Sequence, residues 1–193
     1  VTIPTFTYKM GASYNIDDLQ SAFVNTGYID KAQRFNNVLY QNRTGNKIAL
    51  ANNYENEKIY AVELGYSFRS SSFSGNLNAY YTYWLNNPLD SPIALRDPND
   101  PLEVIPLNIP GIDALHRGAE LDFAYKMNKK LTFEGLISIG NWKWNSSESV
   151  NVSYRDTTYN YSFNAKGVHV GDAAQIQYGA MVRYEPIKSL YFK

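Results

Sequence analysis

Long runs of this chain alternate apolar and polar residues at every second position, and this period limits the possible folds more than any other feature. In the run Lys58–Arg69 the even positions are apolar: Tyr60, Val62, Leu64, Tyr66 and Phe68. The odd positions between them include Glu63, Gly65 and Ser67. A period of two belongs to a β-strand whose two faces meet different surroundings. Because no segment keeps a helical period, the sequence predicts an all-β fold.

The same alternation recurs along most of the chain, in runs that are long for strands. It is found in Thr5–Tyr14, Phe73–Leu85, Leu115–Met127, Leu131–Trp144 and Ala174–Tyr184. Only Leu19–Tyr28 carries apolar residues on both faces, so its orientation stays open. Strands of soluble proteins usually have about 5–6 residues, whereas a tilted strand needs roughly 9–11 residues to cross a bilayer. The lengths of these runs are therefore typical of membrane-crossing strands.

The connections between the runs are short and long in turn. The short ones have good turn chemistry and are Asn15–Asp18, Ser70–Ser72, Asn128–Lys130 and Glu185–Lys188. The long ones are polar, without strands of their own by pattern, and are Asp30–Glu57, Asn86–Ala114 and Ser146–Asp172. About eight antiparallel strands result, with all long loops at one end of the sheet. Short turns at one end and long loops at the other are typical of outer-membrane barrels.

Composition excludes several classes of protein. The 193 residues contain 18 Lys and Arg against 18 Asp and Glu, so the balanced charge gives no indication of nucleic-acid binding. The chain has no cysteine, which excludes disulfides and cysteine-ligated metals. It also has no run of about 18 apolar residues, so no transmembrane helix is predicted. A transmembrane barrel places its apolar residues at alternate positions and is compatible with this low hydropathy.

The polar faces of the predicted strands favour a barrel lumen over a sheet face in bulk water. They carry mainly Gly, Ser, Asn, Thr and Gln, while most charges lie in turns and loops. The charged residues that remain are predicted to line the lumen: Glu63, Glu120, Asp122 and Arg183. The apolar faces would then contact outer-membrane lipid. Packing against a second sheet, as in a soluble sandwich, is the less favoured alternative.

Five aromatic and imidazole side chains are the best candidates for ligand contact: Tyr80, Trp84, His116, Trp142 and Trp144. The Tyr and Trp residues fall on the polar face, near the strand ends that carry the long loops. This position predicts a location at the outer mouth of a barrel, where ring faces can stack on a sugar or an aromatic chelator. The alternative is an interfacial aromatic girdle or loop packing.

Four segments, in this order, resemble the barrel of a TonB-dependent outer-membrane receptor. They are "FTYKMGASYNIDDLQSAFVNTGY", "NEKIYAVELGYSFRSSSFSGNLNAYYTYW", "GIDALHRGAELDFAYKMNKKLTFEGLISIGNWKW" and "VGDAAQIQYGAMVRYEPIKSLYF". The most specific part is the order of strand, turn, strand and long loop before "HRGAELD". The resemblance is greatest to receptors that carry a carboxypeptidase-regulatory-like domain ahead of the plug.

The resemblance implies 22 antiparallel strands closed around a plug domain in the outer membrane of a Gram-negative bacterium. Residues 1–193 would form a segment of this transmembrane β-barrel wall, with the plug and the remaining strands outside the segment. The implied partners are lipid, the plug, the remaining strands, the TonB complex that acts through the plug, and a small nutrient. A siderophore, a corrinoid and an oligosaccharide all remain possible substrates.

Two other classes of function are alternatives to transport. One is a complete small β-barrel or β-sandwich that acts as a surface adhesin or binding module. The other is an enzyme, for which no His-Glu-x-x-His or Gly-x-Ser-x-Gly motif is present. Glu120 and Asp122 share a strand face, but polar lining explains them more simply than paired-carboxylate chemistry. The sequence predicts no enzyme, no cofactor and no metal site.

Overall fold

The computed structural model describes residues 3–33, 39–42, 47–50, 55–87, 93–97, 100–107, 111–154, 157–171, 174–188 and 190–192. These residues form fourteen β-strands. The strands are β1 (Thr7–Asn15), β2 (Gln20–Lys31), β3 (Leu39–Asn42), β4 (Lys47–Leu50), β5 (Glu57–Arg69), β6 (Phe73–Asn87), β7 (Ile93–Asp97), β8 (Asp100–Leu107), β9 (Ile112–Lys126), β10 (Leu131–Trp144), β11 (Glu148–Tyr154), β12 (Thr157–Phe163), β13 (Ile176–Ile187) and β14 (Leu190–Phe192). Within the described ranges, no helix is long and apolar enough to cross a membrane.

Eight of the strands form one antiparallel sheet in the order β1-β2-β5-β6-β9-β10-β13-β14. Each strand pairs with the next strand of this sheet along the chain, which is an up-and-down topology. The prediction of an all-β, up-and-down sheet of about eight strands is confirmed. Because neighbouring strands run in opposite directions, the three long connections leave the sheet at the same end and the short turns lie at the other.

The long connections differ from the prediction, because each contains a two-stranded hairpin. These hairpins are β3–β4, β7–β8 and β11–β12, and each forms a sheet of its own. In β11–β12 the register places Val150 opposite Tyr161 and Val152 opposite Tyr159. Valine and tyrosine are both residue types that are enriched in strands. The expectation of loops without strands was wrong because these local pairs are too short to show a long period.

The main sheet has two chemically different faces. The outer face, which includes Tyr60, Val62 and Leu64 on β5, is apolar and exposed, with 56% of Leu64 accessible. The inner face, which includes Ala61 and Glu63, is half-buried although no second layer of the described residues covers it. The side chains of the inner face therefore shield one another, which is typical of the concave side of a curved sheet.

The register extends these faces across the strands and orients β2. On the outer face Leu64 lies between Val24 on β2 and Ala79 on β6. Phe23 and Ile29 therefore lie on the inner face, with Val24 on the outer face. The sequence did not determine the orientation of β2, because this strand has large apolar residues on both faces.

Glycines in the strands make room for aromatic rings of neighbouring strands. A Cβ atom on Gly65 would overlap the ring of Phe23, which lies across it on the inner face. On the outer face, a Cβ atom on Gly135 would lie 2.6 Å from the Phe123 ring. Since glycine weakens a strand interior, these positions indicate that close ring packing offsets the loss.

The described residues do not build the core of a soluble domain. Their buried apolar residues are Ile112, Ala114 and Ala165, which lie near the long-connection end of the sheet. The outer face instead exposes large apolar side chains on every long strand. Monomeric soluble proteins rarely expose contiguous apolar patches larger than a few hundred Å². An apolar environment must therefore cover the outer face.

Replacing Gly65 by alanine is expected to lower the free energy of unfolding by about 1–3 kcal/mol, because the new methyl group overpacks the Phe23 ring. The matched control is Gly27→Ala, also on the inner face, where Cβ would lie 3.5 Å from its nearest atoms in Tyr8 and Lys9. This control should change stability by less than about 0.5 kcal/mol. Urea titration of the purified protein measures both values, and equal losses in the two variants would contradict this packing.

Candidate ligand-binding site

Four of the predicted ligand-contact residues lie together on the inner face. Tyr80 and Trp84 belong to β6, His116 to β9 and Trp142 to β10, and these three strands are neighbours in the sheet. His116 is the register partner of Trp142 on one side and of Thr82 on the other. Trp84, His116 and Trp142 lie in the halves of the strands nearest the long connections, and Tyr80 is the central residue of β6. We call this group the aromatic shelf.

Hydrogen bonding and edge-to-face ring contacts join the members of the aromatic shelf. The Trp142 indole Nε1 donates a hydrogen bond of 2.8 Å to the Tyr80 hydroxyl. The His116 ring lies edge-on to both tryptophans, with centroids 5.6 Å from Trp142 and 6.1 Å from Trp84. Aromatic rings prefer such arrangements at these distances. The result is one continuous surface of rings across three strands.

Two glycines lie beneath the rings of Tyr80 and Trp142. Gly118 is the register partner of Tyr80 and of Gly140. A Cβ atom on Gly118 would lie 2.5 Å from the Tyr80 hydroxyl, and one on Gly140 would lie 2.9 Å from the Trp142 Nε1. These parts of the two rings therefore occupy space that only glycine leaves free.

An ion pair with a buried carboxylate and an exposed lysine orients Trp84, and sequence reasoning missed it. The Glu57 side chain is 2% exposed, accepts a hydrogen bond of 2.7 Å from the Trp84 Nε1, and pairs with the Lys31 Nζ at 2.8 Å. Lys31 and Glu57 end β2 and begin β5, and they are register partners. The available signal was their opposite charge at the two ends of a long connection. Both carboxylate contacts are charge-assisted, which favours one fixed ring orientation.

His116 adds a polar atom that has no partner in the shelf. Its Nε2 atom is buried and makes no hydrogen bond within the described residues. A buried polar atom without a partner costs about 1–3 kcal/mol. A ligand group that reaches this nitrogen would recover part of that cost, so the shelf combines flat apolar faces with one unsatisfied polar position.

Trp144 is not joined to the shelf, although it is on the same strand as Trp142. No ring contact or side-chain hydrogen bond within the described residues links it to the four shelf residues. It borders a separate pocket of about 220 Å³ together with Arg117 and Lys143. The structure therefore divides the five predicted ligand-contact residues into two places.

The residues predicted to line a lumen all lie on the inner face and have cross-strand partners. Glu63 accepts a hydrogen bond from Asn25, Glu120 from Ser138 and Asp122 from Asn76, at 3.3, 3.1 and 2.7 Å. Arg183 donates one of 2.6 Å to Glu134. Glu120 and Asp122 are thus held separately by different strands. This arrangement is typical of a polar lining.

A groove of about 550 Å³ lies beside the shelf, where β1, β2 and β5 pair. Gly11, Gly27 and Ala61 form part of its floor, and Lys9 and Glu63 contribute charge. Its volume is in the range of small-molecule sites. Among the described residues, no group of three or more His, Asp or Glu side chains is arranged to hold a metal ion.

The fold of the chain is similar to that of two solved transporters. The FrpB iron transporter from Neisseria meningitidis (F3-3 variant) matches with a TM-score of 0.60 and 12% identity, over 95% of this chain and 25% of that chain. The copper transporter OprC matches with a TM-score of 0.55 and 10% identity, over 95% of this chain and 32% of that chain.

The chain shares the fold of a part of each transporter. It spans 25% of the length of the first and 32% of the second, and nearly the whole of this chain is included in each match. No protein-family model matches the sequence, and the comparison with curated proteins gives no match. The likeness is therefore one of fold, and the shelf has to be interpreted from its own chemistry.

Replacing Trp84 by phenylalanine is expected to cost about 1–3 kcal/mol of unfolding free energy, because the buried Glu57 carboxylate loses a hydrogen-bond donor. Trp144→Phe is the matched control, since the Trp144 indole makes no such bond within the described residues; its cost should stay below about 1 kcal/mol. Urea titration monitored by circular dichroism compares them. A larger loss in the Trp144 variant would refute the role of Glu57 in orienting Trp84.

Proposed function

We propose that this chain is a segment of the barrel wall of a TonB-dependent outer-membrane transporter that takes up a scarce nutrient. The observation that carries the proposal is the sorting of the sheet into an exposed apolar outer face and a polar inner face, without a soluble core. The sequence resemblance supplies the family, including the kind with a carboxypeptidase-regulatory-like domain, and the likeness to two transporters supports the fold. Transport of this type needs no covalent chemistry.

The outer face supports lipid contact by its aromatic residues. At the long-connection end, the Tyr28 ring contacts the rings of Tyr8 and Tyr60 at 5.9 and 4.8 Å. Toward the short-turn end, Phe73 contacts Phe68 and Phe123 at 6.1 and 6.5 Å. Two aromatic rows that flank an apolar band are typical of outer-membrane barrels.

The edges of the sheet support the presence of further strands. Among the described residues β1 and β14 are the edge strands, and they do not pair with each other. An unpaired edge cannot face hydrocarbon, because its backbone groups would have no hydrogen-bond partners. We propose that these edges pair with the remaining strands of a 22-stranded parent barrel, which encloses a plug on which the TonB complex acts.

The aromatic shelf is the proposed ligand-contact surface at the outer mouth. Tyr80, Trp84 and Trp142 present ring faces that can stack on the sugar of an oligosaccharide or on an aromatic chelator, and His116 offers the unsatisfied nitrogen. The pre-oriented rings lower the entropic cost of capture. The polar inner face, including Glu63, Glu120, Asp122 and Arg183, would line the passage.

The alternative of a complete small barrel or sandwich receives less support. Within the described residues the eight-stranded sheet is open between β1 and β14, and no second sheet packs on its outer face. An adhesin built as a sandwich would bury Leu64 and Ala79, which are exposed. Transport therefore remains the preferred function.

Single-cysteine labelling tests lipid contact, because the chain has no cysteine of its own. Ala79→Cys on the outer face and Asn78→Cys on the inner face are adjacent and form a matched pair. After reconstitution into vesicles, a fluorophore at position 79 should be quenched strongly by a nitroxide on the lipid chains. A fluorophore at position 78 should be quenched at least about threefold less, because the sheet separates it from lipid. Equal quenching at both positions would refute the membrane-wall function.

Removing a shelf ring tests the ligand site. Trp142→Ala is expected to weaken nutrient binding about 5- to 30-fold, because a central aromatic anchor contributes about 1–2 kcal/mol. Binding is measured on cells with a panel of ferric chelators, corrinoids and oligosaccharides, and immunoblots of outer membranes correct for protein abundance. Trp144→Ala, outside the shelf, should change binding less than about twofold. If the aromatic shelf does not contact the nutrient, the Trp142→Ala and Trp144→Ala variants will bind it with the same affinity.

A further inference from the structure

A second pocket opens on the outer face, at the end of the sheet that carries the long connections. Its volume is about 220 Å³, and its lining includes three cationic side chains: Arg117, Lys143 and Lys166. Asn141, Asn145 and Trp144 also border it, and its lining contains no Asp or Glu. We call it the basic pocket. The transport proposal gives it no role.

Strand register places two of the cations on the outer face. Arg117 is the register partner of both Tyr81 and Asn141, and Tyr81 is an exposed outer-face residue. Lys143 is two residues after Asn141 on the same side of β10, opposite Leu115. The basic pocket is therefore separated from the aromatic shelf by the thickness of the sheet.

A glycine turn brings the third cation to the pocket. Lys166 precedes Gly167, whose φ of 86° is in the left-handed region, and the Val168 amide donates 2.9 Å to the Ala165 carbonyl. A type II turn requires glycine at this position. The Gly167 amide donates to the Trp144 carbonyl at 2.8 Å and the Trp144 amide to the Val168 carbonyl at 2.9 Å. The turn is thus fastened to the end of β10.

The charges of the three cations are not neutralised within the described part of the chain. None of them forms an ion pair with a residue in the described part of the chain. Asp113 also belongs to β9, two residues before Leu115, but its carboxylate accepts hydrogen bonds from the Tyr83 hydroxyl and the Asn86 amide, each at 3.2 Å. Converging like charges repel one another, and a bound anion would offset this repulsion.

The position of the basic pocket along the strands of the outer face indicates the source of the anion. On β9 the outer-face residues from Ala119 to Tyr125 are uncharged, and on β10 the same holds from Phe133 to Ile139. The first charged residue that follows on the outer face of β9 is Arg117. It lies opposite Asn141 of β10, at the end of the apolar band. If the outer face contacts lipid, these residues lie at the level of the headgroups.

We propose that the basic pocket binds a phosphate group of a lipid headgroup in the outer leaflet. The proposal rests on the membrane-wall function proposed above. Arg117 can bind phosphate oxygens through two parallel N–H donors, while Lys143 and Lys166 supply point charges and the two Asn side chains supply neutral donors. A fixed lipid at this position would stabilise the wall beside the turn that carries Lys166.

Lipid binding to the complete protein in detergent tests the proposal. Native mass spectrometry follows titration with lipid A that carries two phosphates, with the dephosphorylated form of lipid A, and with inorganic phosphate as a competitor. Arg117→Gln and Lys143→Gln should each weaken binding of the phosphorylated lipid at least about tenfold, because each removes a charge-assisted hydrogen bond to the phosphate. Lys58→Gln, at the same end of the sheet but outside the pocket, should change it less than about twofold.

Each outcome of the lipid titration either supports or overturns the proposal. Tight binding of the phosphorylated lipid alone, lost in the two variants and kept in Lys58→Gln, supports the proposal. Equal binding of the dephosphorylated lipid overturns it, and so does complete displacement by inorganic phosphate at equal concentration, which indicates a free-phosphate site. If the label at position 79 is quenched much more strongly than the label at position 78 while the variants bind lipid normally, this inference fails and the membrane-wall function stands. If the two labels are quenched equally, both this inference and the membrane-wall function fail.

Discussion

The backbone pairing of the main sheet is the constraint on which the rest of the structure depends. From β1 to β13 the strands pair in antiparallel register, and side chains alternate between two faces along each of them. A slip of one residue in any pair would move apolar side chains such as Leu64 to the polar face. The register therefore keeps the outer apolar surface, the inner polar lining, the aromatic shelf and the basic pocket in place together.

Large rings need space above the neighbouring strands, and glycine residues provide that space. Tyr80 and Trp142 lie over Gly118 and Gly140, as Phe23 lies over Gly65. The regular pairing of β6 with β9 then shifts between Trp84 and Asn87, beside the shelf. Bulges of this kind re-aim side chains near functional sites. The same sheet thus carries a rigid wall along most of its length and a specialised surface at the end with the long connections.

Much of the fold and part of the site could be predicted from sequence. Parity and strand ends placed Tyr80, Trp84, Trp142 and Trp144 on one face and near one end, because both properties follow from local periodicity, but they did not show that Trp144 stays apart from the shelf. The orientation of β2 could not be predicted, since Phe23 and Val24 are both apolar. The hairpins in the long connections were missed because their strands are too short to show a long period. The Glu57–Lys31 pair and the position of Lys166 were missed because each depends on contacts between segments.

By itself, the sequence determined that this chain is all-β, which residues share a face and which connections share an end. These properties need only the two-residue period of a strand and the alternation of chain direction. The tertiary structure decided which of those residues meet. Trp142 reaches Tyr80 across 62 positions of sequence, and Arg117 and Lys166 line one pocket only because a turn is hydrogen-bonded to the end of β10. Such contacts depend on strand order, register and ring packing, which no local pattern encodes.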